Sequence, residues 1–85
     1  MKSDEIKKII LIVDDEMHLV ATLQLRLDAS KDWDTEAAYD GETALEMIKR
    51  ESPDLIILDV MLPNKNGLQV CREIKASPLT KQIPI

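Results

Sequence analysis

The sequence contains no phenylalanine, a single tryptophan, a single tyrosine, one histidine, one cysteine and two glycines. One cysteine, Cys71, excludes an intrachain disulfide and suits a reducing compartment. Basic residues are outnumbered: 11 Lys and Arg face 16 Asp and Glu, for a net charge of −5. With no basic stripe and no basic–aromatic interleaving, this segment is not expected to touch nucleic acid. No apolar run approaches the ~20 residues of a membrane span, and the charged start "MKSDEIKK" has no signal-peptide character. The expectation is a soluble cytoplasmic protein. What is present is aliphatic: hydrophobic residues make up 45% and charged residues 32%, a globular balance. At 85 residues there is room for one small domain. Such a domain buries only about 60–65% of its unfolded surface.

The aliphatics come in short blocks. Ile9 to Val13 in "KKIILIVDD" is an unalternating, β-branched run, as in a strand buried on both faces of a parallel sheet. "EMHLVATLQLRLDAS" then spaces Val20, Leu23 and Leu27 as one face of a helix with an acidic start. "DWDTEAAYDG" alternates Trp33, Thr35 and Ala37 against Asp34 and Glu36, which predicts an edge strand. Asp40-Gly41 opens a second helix with Ala44, Leu45 and Ile48 inward, and Ser52-Pro53 ends it. "DLIILD" is a further apolar strand. Asn66 to Gln69 has the form of a capping box before a third helix carrying Val70, Cys71 and Ile74. Pro78 stops that helix, and "QIPI" reads as the start of a fourth strand. Strands alternating with helices imply right-handed crossovers and an α/β fold with a doubly wound parallel sheet.

Both central apolar strands end in acid: Asp14 and Asp15 close the first, Asp59 the third. A lone Asp at a strand end is ordinarily a turn or a helix cap. Two such ends, in the first and third strand positions, are harder to explain that way. Sites in open α/β sheets form beyond the carboxyl ends of the strands, where strand order reverses. If these two strands are neighbours, about 4.8 Å apart, the three acids meet at one rim. Clustered carboxylates repel, so a proton or a cation must be held there. Oxygen donors without nearby His or Cys favour a hard ion such as Mg²⁺, which takes one or two carboxylates and keeps several waters. A carboxylate beside it can attack phosphorus to give an aspartyl phosphate.

At these residues the sequence resembles the receiver domain of two-component response regulators, a flavodoxin-like fold. "IILIVDDE", "YDGETALEMI", "PDLIILDVMLPNKNG" and "CREIKASPLTKQIPI" match the family pattern in order and spacing, from Lys7 to Ile85. The resemblance implies that Asp59 is the phosphoacceptor and a metal ligand. Asp15 would bind Mg²⁺ directly, Asp14 through water, and Met61 through its backbone carbonyl. Pro63 and Gly67 would shape the loop after the acceptor. The implied phosphoryl donor is a phosphohistidine on a sensor histidine kinase or phosphotransfer protein, or a small acyl phosphate. The domain would phosphorylate and dephosphorylate itself and act as a switch in a phosphorelay rather than as an enzyme.

The sequence departs from that pattern in two places. Residues 1–85 correspond to the N-terminal portion of a receiver only. The resemblance offers no match for the Ser/Thr after the fourth strand, or for the Lys and the aromatic switch on the fifth. "NKNG" also lacks the acid many receivers carry before the glycine. A second reading follows, in which the chain is an assembly piece without phosphoryl transfer, a homodimer through the uncovered edge of "LIILDV". Haloacid-dehalogenase-type phosphatases need a second acid where Met61 stands, and a flavodoxin-like nucleotide site needs a Gly-rich loop that is missing after the first strand. His18 reads as an exposed helical residue, Cys71 as a small core residue, and Trp33 as a cover over the core. Asp54, at the start of a strand, lies at the wrong end of the sheet to join the acids.

Overall fold

A computed structural model describes residues 8–59, 61–62, 67–78 and 80–85. Its elements run β1 (Lys8–Val13), α1 (Met17–Asp28), β2 (Trp33–Ala38), α2 (Gly41–Glu51), β3 (Leu55–Leu58) and α3 (Gly67–Ala76). The strands form one parallel sheet in the order β2-β1-β3. This is the flavodoxin-like α/β architecture expected from the sequence, with β1 central because it is apolar along nearly its whole length.

Alternation along β1 divides the core. Ile10 and Ile12 face α1, where Val20 is fully buried and Leu23, Leu27, Trp33, Ala37 and Leu55 pack around them. Leu11 and Val13 face the other way, against Ala44 and Ile48 of α2 and Val70 and Ile74 of α3. Helices therefore cover both faces, as strand runs without alternation demand. The predicted inner faces of all three helices are correct, with one adjustment: Cys71 is half-buried, displaced to the flank of α3 by Val70 and Ile74.

The helix ends show how local chemistry sets boundaries. The Asp40 side chain accepts the Thr43 N–H at 2.8 Å, so α2 begins where Asp40-Gly41 indicated. Ser52 ends it in the left-handed region, at φ 48°, directly before Pro53. Helix α1 begins one residue later than its acidic start suggested. Glu16 stands outside it as the cap residue without a side-chain cap bond, and the first turn holds no acid. The proposed cap Asn66, with Pro63 and the rest of "NKN", lies outside the described residues; Gly67 is buried as the first residue of α3.

The stretch expected to start a fourth strand, "QIPI", meets the sheet at one point among the described residues. Residues 80–83 make successive turns, and Ile83 to Ile85 carry no ladder. One bond reaches the sheet: the Ile56 N–H donates to the Pro84 carbonyl at 3.0 Å. Pro84 has no N–H to give back, so the contact stays single. At the opposite end of β3, Asp54 donates its N–H to the Ile9 carbonyl and accepts the Ile9 N–H on Oδ2, both at 2.8 Å. Asp54 thus clips β3 to β1 away from the acids, as expected.

Candidate metal and phosphoacceptor site

The site is built by strand register. β1 and β3 pair Val13 with Leu58, so one step further brings Asp14 beside Asp59. Backbone bonds hold that step: Asp59 N–H donates to the Val13 carbonyl at 2.9 Å, and Asp14 N–H to the Ala38 carbonyl of β2 at 3.1 Å. Asp14 shares the face of Ile10 and Ile12, and Asp59 that of Leu55 and Ile57, because side chains repeat every second residue. Both therefore stand on the α1 side of the sheet. This rim is also where strand order reverses, since β1 is followed on one side by β2 and on the other by β3.

Asp14, Asp15 and Asp59 each present a carboxylate oxygen, and these oxygens lie within 4.8 Å of one another. Asp14 and Asp59 are half-buried and Asp15 is exposed. Each of the half-buried pair is oriented by a backbone donor two residues on. Glu16 N–H donates to Asp14 Oδ1, and Met61 N–H donates to Asp59 Oδ1, both at 3.0 Å. These are Asx-type turns, formed where a strand ends and the chain must change direction. Sequence reasoning singled out Met61 for its carbonyl; the structure shows its N–H at work. The orienting role of Glu16 was not anticipated, because a backbone donor leaves no side-chain signature beyond the D-x-x spacing.

The oxygens open into a cleft of about 420 Å³ whose walls include Leu19 and Leu23 of α1, Ile57, and Glu16. The donor set fits a small hard cation. Two oxygens bound to one Mg²⁺, at about 2.1 Å each, stand at most ~4.2 Å apart, so modest side-chain movement suffices. Among the described residues no His or Cys joins this acidic group, which argues against a softer metal. Asp54 is absent from it, and His18 is an exposed residue of the first turn of α1.

Comparison with known proteins agrees with this geometry. The family model for the response regulator receiver domain matches residues 10–85. The chain belongs to the response regulator receiver family. It is 45% identical over 76 residues to response regulator PleD of Caulobacter vibrioides, covering 89% of this chain and 16% of PleD. Among solved structures, the phosphorylated cyanobacterial phytochrome response regulator RcpA is 33% identical with TM-score 0.85, over 93% of this chain and 62% of that one. The Mn(2+)-bound form of response regulator Rcp1 is 35% identical with TM-score 0.82, over 91% and 61%. The chain thus spans about three-fifths of these solved receivers and a small part of the curated relative. Receivers of this family undergo phosphorylation and dephosphorylation and are not enzymes acting on a separate substrate. Among the described residues, no helix is long and apolar enough to cross a membrane.

Proposed function

We propose that this chain is a receiver whose Asp59 accepts a phosphoryl group, with Asp14, Asp15, Asp59 and the Met61 carbonyl as the Mg²⁺-holding set. The observation that carries the reading is the approach of three carboxylates to within 4.8 Å at the carboxyl ends of β1 and β3. Among relatives of the same fold, one solved structure is described as phosphorylated and another as Mn(2+)-bound. Bound Mg²⁺ would supply charge neutralisation for the carboxylates and for the phosphoryl oxygens. The protein's own contribution is positional. Met61 N–H fixes Asp59 Oδ1 and with it the plane of the carboxylate. Glu16 N–H holds Asp14 in the same way.

The donor is a phosphohistidine of a sensor histidine kinase or phosphotransfer protein, or a small acyl phosphate. An Asp59 oxygen forms the new O–P bond as the P–N bond of phosphohistidine breaks. The imidazole nitrogen keeps the electron pair and takes up a proton. Met61, two residues after Asp59, is 78% exposed. The test is intact-mass spectrometry after incubation with acetyl phosphate, with and without Mg²⁺. A single phosphoryl adduct is expected, absent without Mg²⁺ and absent in Asp59→Asn. A folded chain that gains no adduct would remove the reading.

A second reading, assembly without phosphoryl transfer, is favoured by one feature. Ile57 is 38% exposed on the sheet face, in the cleft it shares with exposed Leu19 of α1. A patch of this kind promotes pairing with a second copy.

A further inference from the structure

The acid site exists in one register only. Ile10 to Val13 pair with Leu55 to Leu58, and Asp14 stands beside Asp59 in that alignment alone. Register is ordinarily specified by alternating apolar and polar side chains, because a slip of one residue turns every side chain to the other face. Neither of these strands carries that information. Ile9 to Val13 and Leu55 to Leu58 are aliphatic at every position, so a slipped ladder would still set aliphatic residues against each other. β2 differs, since Asp34 and Glu36 interrupt Trp33, Thr35 and Ala37 and mark one alignment with β1.

The polar start of β3 supplies what its aliphatic middle lacks. Asp54 lies one residue before the paired stretch, level with Ile9. Its N–H donates to the Ile9 carbonyl and its Oδ2 accepts the Ile9 N–H, both at 2.8 Å. Backbone and side chain together thus engage both polar groups of one β1 residue, and the carboxylate makes the second bond charge-assisted. A slip of one residue would break both bonds at once. The chain takes as many steps from Asp54 to Asp59 as from Ile9 to Asp14, so bonds at one end set the acids level at the other. Each slipped step would shift Asp59 by about 3.3 Å along the strand. The acid oxygens already lie up to 4.8 Å apart, and one Mg²⁺ spans at most ~4.2 Å between two of them.

We infer that Asp54 is a positioning residue for the acid site: it pins β3 to Ile9 of β1 and so holds Asp59 level with Asp14. Its importance to phosphoryl transfer rests on Asp59 being the phosphoacceptor, whereas the pin itself is a property of the ladder. Asp54 stands at the far end of β3 from the acids, and it acts on them through the strand alone.

Two NMR measurements on the 85-residue chain separate the pin from general stability. The first is metal-free amide exchange at Asp59, whose N–H bonds Val13, compared with Asp14, whose N–H bonds Ala38 of β2. In Asp54→Ala, Asp59 exchange is expected to rise about ten-fold while Asp14 stays as in the parent. The second is a Mg²⁺ titration followed at the same amides, in which Asp54→Ala is expected to need about ten-fold more Mg²⁺ for half-saturation. Asp54→Asn, which keeps a side-chain oxygen acceptor, should restore both. Asp40→Ala is the control, since it loses comparable stability by uncapping α2, away from this ladder, and should reproduce neither effect. Parent-like Asp59 exchange in Asp54→Ala would overturn the pin, as would equal effects of Asp54→Ala and Asp40→Ala. A parent chain without any Mg²⁺ response would remove the proposed function instead, and the exchange comparison would still decide the pin.

Discussion

At the scale of single residues, the acids divide into those that gather and those that brace. Asp14, Asp15 and Asp59 were legible in the sequence because each stands where an aliphatic run stops, and the register of β1 with β3 does the rest. The donors that aim them were not legible, since Glu16 and Met61 act through backbone N–H groups. In the proposed site, Asp15→Asn removes charge without removing a fold contact. It is expected to raise the Mg²⁺ concentration needed for adduct formation by about ten-fold or more, measured as adduct yield against Mg²⁺. Asp40 belongs to the bracing group. Its carboxyl is held below the usual aspartate range by the Thr43 N–H, so the folded state favours its charged form. The contribution is present above the unfolded pKa and lost as pH falls through the lower, folded one. Asp40→Ala should therefore cost about 1 kcal/mol near neutral pH in urea unfolding, and the difference should close below pH ~4. A gap that persists in strong acid would contradict the cap.

At the scale of elements, the inner faces of α1, α2 and α3 followed their spacing because Val20, Ile48 and Ile74 each repeat at helical intervals. The C-terminal "QIPI" meets β3 through a single bond, from the Ile56 N–H to the Pro84 carbonyl. An apolar run predicts a strand only if a ladder can form, and Pro84 supplies an acceptor without a donor. The edge strand β2 also differs in one position. Glu36 was expected on the wet face, yet it is half-buried, and its pKa is raised, first by a hydrogen bond with the Glu51 carboxyl, then by burial and by the Glu51 charge. Arg50, 3.6 Å from Glu51, works against the shift, and Asp34 adds to it. The sign is opposite to that of Asp40. The Glu36 contribution is present below the unfolded pKa and is lost as pH rises through the higher, folded value. Glu36→Gln should keep the donor at neutral pH and raise stability there, by about 0.5 kcal/mol or less given solvent screening. Denaturant melts at pH 7 that show a loss instead would contradict this account. Asp54 holds the other end of β3, and Asp54→Ala is expected to cost about 1 kcal/mol by the same measurement.

At the scale of the whole molecule, the sheet is covered unevenly. Among the described residues, α2 and α3 lie over one face and α1 over the other, where Ile57 is 38% exposed beside the acids. The sequence pointed to the strand edge as an assembly surface; the structure adds a second apolar surface at Ile57, beside Leu19 in the cleft that holds the acids. Light scattering at rising concentration should show association of the parent chain and less of it in Ile57→Lys. Equal scattering by the two would rule out this face as the contact. Fold and site are otherwise joined through β1, whose ladders end in the Asp14 bond to Ala38 of β2 and in the bond from Asp59, just after β3, to Val13. The central claim is that this convergence makes Asp59 the phosphoacceptor, and residue-level mapping tests it most directly. The chain is treated with acetyl phosphate and Mg²⁺, reduced with borohydride, which converts an aspartyl phosphate to homoserine, and sequenced by tandem mass spectrometry. Homoserine is expected at position 59 alone; homoserine at 14 or 15, or at no position in a folded chain, would contradict a phosphoacceptor role for Asp59.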